Sequence, residues 1–134
     1  MAIEQTFVMV KPDGIARGLV GEIISRFERK GLTLENLRML TIDEELARRH
    51  YAEHVEKGFF PELLDFITSG PVVAMAWTGE SAVSVGRTLM GPTDPGAAPP
   101  GTIRGDYGTV VTENLVHGSD SAESAARELA IFFP

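Results

Sequence analysis

Asn114-Leu-Val-His117-Gly-Ser-Asp120-Ser-Ala-Glu123 joins a short apolar run to the start of a helix. Leu115 and Val116 have the character of a short strand. Asp120 is placed to act as N-cap of the following helix, and Glu123 three residues on completes a capping-box pattern. His117 then stands beside the free N–H groups and the positive dipole end of a helix. That setting attracts anions and disfavours a protonated imidazole. A neutral histidine beside an anion site is a candidate nucleophile toward phosphoryl groups. Downstream, Ala122, Ala125, Ala126 and Leu129 are the expected buried face of the helix. Glu128 falls at the edge of that face, on the side of Ser121, and reads either as a surface glutamate or as a carboxylate pointing back toward His117.

Upstream, the chain supplies the strands that this last strand needs as partners. Thr6-Phe-Val-Met-Val10 is rich in β-formers and is stopped by Lys11-Pro12-Asp13-Gly14, which reads as a turn. Lys11 sits at the strand end, where ligand sites of α/β proteins often lie. Taken locally, it reads first as a solvated lysine closing the strand. Val20, Ile23, Ile24 and Phe27 follow helical spacing up to Gly31. Residues 34–42 read as a second strand, and Asp43 opens a helix through Leu46, Ala47, His50 and Tyr51. His50 and His54 share a face at four-residue spacing, but no acidic or histidine partner at a metal-site spacing accompanies them. No dedicated protein metal site is expected.

Phe60, Leu63, Leu64 and Ile67 form another helical stripe after Pro61. Two adjacent aromatics cannot easily face one core, so one of Phe59 and Phe60 is expected to be exposed, as a stacking platform or simply in the turn. Val72-Val-Ala-Met-Ala-Trp77 is a third strand, apolar enough to be buried on both sides. Residues 80–90 form a short helix with Arg87 in its last turn, which at a minimum complements the helix dipole. Residues 91–113 then form a long loop rich in proline and glycine. Loops longer than roughly 12–15 residues inside a compact domain are usually functional or disordered. The prolines, with Ile103, Tyr107, Val110 and Val111 as apolar anchors, favour an ordered loop that carries Arg104 between glycines.

Stripped of extra helices, the order is βαββαβ, an α+β ferredoxin-like pattern. It predicts one domain over residues 1–134, with a four-stranded antiparallel sheet, helices packed on one face, and a long proline/glycine-rich loop. The net charge of −7 argues against a dedicated nucleic-acid surface, though not against a local basic pocket. The chain has no cysteine, which excludes disulfides and thiolate chemistry. No signal-peptide or membrane-spanning pattern is evident, so a cytoplasmic protein is expected. Within an acidic chain, Lys11, Arg87 and Arg104, with Thr93 as hydroxyl donor, are candidates for a local pocket that holds phosphates. Ser119 and Glu128 are placed to orient the ring of His117.

Asn114-Leu-Val-His117-Gly-Ser-Asp120 resembles the active-site signature of nucleoside diphosphate kinases. The likeness runs along nearly the whole chain. It includes Val10-Lys11-Pro12-Asp13-Gly14, Tyr51-Ala-Glu-His54, Phe59-Phe60, Ser69-Gly-Pro-Val-Val73, Gly91-Pro-Thr-Asp-Pro95 and Gly101-Thr-Ile-Arg-Gly-Asp106. The resemblance implies ping-pong transfer of the γ-phosphoryl from a nucleoside triphosphate, with ATP the main donor, through His117 to a nucleoside diphosphate. By motif position, Lys11 and Asn114 would contact the sugar, and Lys11 also the transferring phosphoryl. Arg87, Thr93 and Arg104 would hold distal phosphates, and Tyr51, Ser119 and Glu128 would support the catalytic histidine. Phe59 and Val111 would sandwich the base, giving broad base specificity. Mg²⁺ would be held mainly by the phosphates. The resemblance also implies a homo-oligomer, with a hexamer favoured over a tetramer or dimer. Glu113, where many relatives carry arginine, and Gly58, where proline is frequent, depart from the family pattern.

Overall fold

Phe7, Val8, Met9 and Val10 are all fully buried, and they belong to the strand about which the sheet is built, β1 (Ile3–Val10). The computed structural model describes residues 3–134. β1 pairs on one side with β3 (Pro71–Glu80) and on the other with β4 (Val116–Gly118), and β3 pairs in turn with β2 (Thr33–Thr41). The order is β2-β3-β1-β4, with every neighbouring pair antiparallel. This is the ferredoxin-like arrangement that the order of elements predicts.

One expectation is corrected. Helices cover both faces of the sheet, not one. Successive side chains of a strand point to opposite faces, and neither Phe7–Val10 of β1 nor Val72–Trp77 of β3 has a polar alternate. Val8, Val10, Val73, Met75 and Trp77 pack on one side with Ile23 and Phe27 of α2 (Val20–Lys30) and with Ala82 and Met90 of α5 (Ala82–Met90). Phe7, Met9, Val72 and Ala74 pack on the other with Ala47 of α3 (Glu44–His50), Phe60 and Ile67 of α4 (Phe60–Ile67), and Phe132 of α7 (Ala122–Phe132). The helices inserted between β2 and β3, together with the C-terminal helix, shield the face that would otherwise expose a row of apolar groups.

Local signals place the helix ends. Gly31 closes α2 with φ 106°, a left-handed conformation that glycine adopts without steric penalty. Asp43 caps α3 by accepting from the Leu46 backbone N–H at 2.8 Å. The cap of α7 differs from the expected one: Ser121, not Asp120, accepts from the Ser124 N–H at 3.0 Å. The buried face of α7 shifts with it. Ala125, Glu128 and Phe132 are buried, whereas Ala122 and Ala126 are exposed.

Two short helices were not expected. The turn after β1 is α1 (Pro12–Ala16), with proline in its first turn where a missing N–H costs nothing. Gly14 lies there because a Cβ would meet Val10 Cγ1 at 2.7 Å and the Leu115 carbonyl oxygen at 2.9 Å. The long loop is ordered, as anticipated, but it contains α6 (Ile103–Tyr107), capped by Thr102 accepting from Gly105 N at 3.0 Å. Ile103 is fully buried and Tyr107 packs on the core. Val110 and Val111 are not anchors: each is about half exposed, at 48% and 49%. Arg26 of α2 supplies the missing restraint, pairing with Asp106 at 2.8 Å and donating to the Gly101 carbonyl at 3.2 Å.

Candidate active site

His117 is held in place by strand pairing. It lies opposite Met9 in the β1–β4 ladder, so its backbone position is set by the sheet. Its Nε2 lies 2.8 Å from Glu128 Oε2, and the Ser119 hydroxyl donates to Glu128 Oε1 at 2.6 Å. Glu128 is only 3% exposed. A carboxylate buried this deeply needs partners on both oxygens, and it has them. The partner on Oε2 fixes the tautomer of His117: hydrogen on Nε2, lone pair on Nδ1.

Behind the pair lies His50, the last residue of α3. Its ring meets that of His117 edge to face, with centroids 4.7 Å apart at 80°. Neither of its buried ring nitrogens has a hydrogen-bond partner among the described residues. Burial first, and then the neighbouring His117 and Arg127, push its pKa well below the ordinary histidine value, so the ring is neutral. Beside it, the buried Tyr51 hydroxyl also lacks a partner. Burial, reinforced by the Glu128 charge, raises its pKa far above the usual phenol range, so Tyr51 is a donor rather than a phenolate.

The cationic wall comes from distant segments. Lys11 Nζ donates to Asn114 Oδ1 at 2.8 Å, and Asn114 Nδ2 donates to the Thr93 carbonyl at 2.9 Å. Burial, and secondarily the charge of Arg104, lower the Lys11 pKa to about 8 against the pull of Asp13. Arg104 is 3% exposed and donates to three carbonyls, those of Gly91 (2.8 Å), Val116 (2.6 Å) and Asn114 (3.3 Å). Burial and the neighbouring Arg87 lower its pKa to about 10. Arg87 donates to the Gly118 carbonyl at 3.3 Å. The backbone between these groups is bent sharply. Leu115 has φ 76°, and Val116 N donates to the Asn114 carbonyl at 2.9 Å. This has the form of a tight γ-turn, rare and strained for a non-glycine residue. The turn carries Asn114 to Lys11 while leaving His117 in register with the sheet.

These groups enclose a cavity of about 220 Å³. Of the residues singled out in the sequence, Lys11, Tyr51, Arg87, Thr93, Arg104, Asn114, His117 and Glu128 line it. Ser119 lies just behind, 1% exposed and reaching the cleft through Glu128. Phe59 and Val111 are not part of the lining. Both are half exposed, and Phe59 sits against His54, a residue of the wall, with ring centroids 5.5 Å apart. Phe60, by contrast, is buried in the core, which settles which of the two aromatics faces out. Arg104 is less free than expected, since its guanidinium already braces the loop. Sequence reasoning missed two contributors. In the sequence, His50 pairs by spacing only with His54. Arg127 ties α7 to the end of α3 by donating to the His50 carbonyl at 3.3 Å. Its place four residues before Ile131 gave no signal of that role.

A histidine backed by a buried carboxylate and faced by buried cations, on a ferredoxin-like sheet, defines a protein built to handle a transferable anionic group. A family model described as nucleoside diphosphate kinase matches residues 4–134, and the chain belongs to that family. It is similar to the nucleoside diphosphate kinase of an Exiguobacterium strain, with 60% identity over 98% of this chain and 94% of the relative. It is 58% identical to that of Bacillus cereus over 98% of this chain and 88% of the relative. Among solved structures, a halophilic nucleoside diphosphate kinase from Halobacterium salinarum in complex with CDP superposes with a TM-score of 0.96. The identity is 55%, over 98% of this chain and 88% of that one. The apo enzyme from Encephalitozoon cuniculi gives a TM-score of 0.95 at 45% identity, covering 97% of this chain and 88% of that one.

Proposed function

We propose that His117 carries the phosphoryl group in the nucleoside diphosphate kinase reaction of this chain. The observation that carries this reading is the 2.8 Å contact between His117 Nε2 and Glu128, which leaves Nδ1 as the nitrogen with a free lone pair. In the first half-reaction the Nδ1 lone pair forms a bond to the γ-phosphorus of a nucleoside triphosphate. The bond from that phosphorus to the bridging oxygen breaks, and its electrons leave on the β-phosphate of the diphosphate product. In the second half-reaction a terminal oxygen of another nucleoside diphosphate attacks the phosphorus, and the P–N bond electrons return to Nδ1. The Nε2 proton stays on the ring throughout, facing Glu128, which offsets the positive charge that develops on the phosphorylated imidazole.

The chemistry needs positioning and charge stabilisation more than proton transfer. Lys11, Arg87 and Arg104 supply positive charge at the anion, and the unpartnered Tyr51 hydroxyl supplies a donor at the reacting phosphoryl. Asn114, braced by Lys11 and the Thr93 backbone, is placed to meet the sugar. Mg²⁺ enters as part of the substrate, held by the phosphates, and neutralises charge on them. The donor set supports this: the one metal-type cluster among the described residues is rich in nitrogen, whereas Mg²⁺ prefers oxygen ligands. Phe59 and Val111 offer apolar surface outside the cleft wall, suited to sandwiching any base, with ATP the main donor by the family resemblance. A site that stacks on a π-face and reads no base edges discriminates weakly. The CDP carried by the Halobacterium relative fits such breadth.

We also propose a homo-oligomer, six copies being favoured over four or two by the family resemblance. The unpaired outer edge of β2 and its exposed Leu37 (45%) and Met39 (59%) support self-association.

The phosphohistidine reading is tested by incubation with γ-labelled ATP. The expected result is acid-labile, base-stable label on the wild type and none on His117→Ala. Label retained by His117→Ala would overturn the assignment.

A further inference from the structure

We propose that His50, His117 and Glu128 form a binding site for a zinc-class divalent ion, whose occupancy locks the nucleophile and stops phosphoryl transfer. One donor atom from each of the three residues lies within 4.8 Å of the others. Glu128 Oε2 is 2.8 Å from His117 Nε2 and 3.7 Å from His50 Nδ1. Tetrahedral bonds of roughly 2.0–2.1 Å require donors about 3.3 Å apart, so the two separations lie on either side of what a bound ion would impose. Two imidazoles and one carboxylate, with a fourth position open, is a recurrent protein zinc set.

A second observation points to a ligand independently. His50 has a fully buried side chain, and neither ring nitrogen has a partner, although Nδ1 faces the Glu128 carboxylate. The architecture around the trio also suits an ion. The Ser119 hydroxyl donates to the other Glu128 oxygen at 2.6 Å, orienting the carboxylate as outer partners of metal ligands do. Access and the fourth ligand come from the His117 side, which is 23% exposed and opens on the cleft, against 0% and 4% for the side chains of His50 and Glu128. Mg²⁺ is not a competitor, since it prefers oxygen ligands and gives up water reluctantly. Zinc, cobalt and copper suit imidazole.

Binding would replace the Nε2–H proton of His117, released to solvent, by the ion. The positive ion on Nε2 withdraws density from Nδ1, and Glu128 is no longer free to offset charge on a phosphorylated ring. The binding claim stands on geometry alone. The inhibition claim rests on the phosphohistidine reading above.

The test titrates Co²⁺ into the nucleotide-free full chain and reads the visible absorption. Intense bands of a four- or five-coordinate ion are expected, bleached by added Zn²⁺ and unaffected by excess Mg²⁺. His50→Phe, which keeps an aromatic ring in the core, is expected to weaken binding at least tenfold, whereas His54→Gln leaves it intact. A pale octahedral spectrum, or equal binding by His50→Phe, would overturn the site. Should His50→Phe not fold by circular dichroism, Glu128→Gln is read in the same titration with the same criterion. In a second arm, Zn²⁺ added before a stoichiometric pulse of γ-labelled Mg-nucleotide is expected to suppress phosphoenzyme formation by the wild type at least tenfold. Undiminished labelling of Co²⁺-competent protein would remove the inhibitory role. Label surviving in His117→Ala would remove the phosphohistidine reading without touching the titration.

Discussion

At the scale of single residues, the decisive feature is burial of charge beside charge. Lys11 is 8% exposed, and burial with the nearby Arg104 lowers its pKa to about 8. The kcat/KM profile reports groups of the free enzyme. Lys11 loses its charge as pH rises through about 8, so kcat/KM for nucleoside triphosphate is expected to fall above that pH. Lys11→Met should be low throughout and lack that limb. An unbroken plateau to pH ~10 in the wild type, well above the Lys11 pKa of about 8, would contradict the role. Stability moves the opposite way. Between pH about 8 and the ordinary lysine value of 10.5, the unfolded chain still holds a proton that the folded chain has released. The unfolded state binds more protons there, so Lys11 makes folding more favourable as pH rises through that window.

At the scale of elements, the proline- and glycine-rich segment depends on Arg104. Its guanidinium satisfies the carbonyls of Gly91, at the start of the segment, and of Asn114 and Val116, in the turn just beyond its end. Arg104→Met keeps much of the side-chain volume and removes these bonds. Leaving even one buried carbonyl unpaired costs about 1–3 kcal/mol. A lower urea midpoint and faster proteolytic nicking within residues 91–113 are expected, and unchanged nicking would show that the brace is dispensable. The same segment marks where sequence reading stopped. Strands and long helices were legible because their apolar groups repeat at period 2 or 3.6. α6 was not, because five residues with a central glycine carry no period, and the helix exists through the Thr102 cap, Ile103 burial and the Arg26–Asp106 pair. The α7 cap was misplaced by one residue because Asp120 and Ser121 are both good caps. Tertiary packing, which buries Glu128 rather than Ala126, chose between them. His50 was illegible as a site residue because its partners stand on β4 and α7, far along the chain.

At the scale of the molecule, two apolar clusters share one sheet, and among the described residues only β2 shows a largely exposed strand to the outside. An edge strand with uncovered apolar groups is an invitation to pair. Native mass measurement is expected to give a multiple of the chain mass, and a double substitution Leu37→Lys, Met39→Lys should shift it toward the monomer. A wild-type monomer at micromolar concentration would refute self-association. The cleft itself was legible in outline because its cations, hydroxyls and histidine are chemically distinctive wherever they occur. Its sources are the end of β1, the end of α3, α5, α6, β4 and α7, so no fragment shorter than nearly the whole fold contains it.

The crowding of Lys11, Arg104 and Arg87 has a calorimetric consequence. Burial lowers the proton affinity of Lys11 and Arg104, and a neighbour adds to it, Arg104 acting on Lys11 and Arg87 on Arg104. A bound polyphosphate brings the opposite charge among them and restores that affinity. Near pH 8, where Lys11 is partly deprotonated, nucleotide binding must therefore draw protons from the buffer. The observed heat of binding should then differ between a buffer of low ionisation enthalpy and one of high ionisation enthalpy. The difference should shrink at pH 6, where Lys11 is already charged, making the heat of the buffer a direct gauge of how tightly the cations are packed.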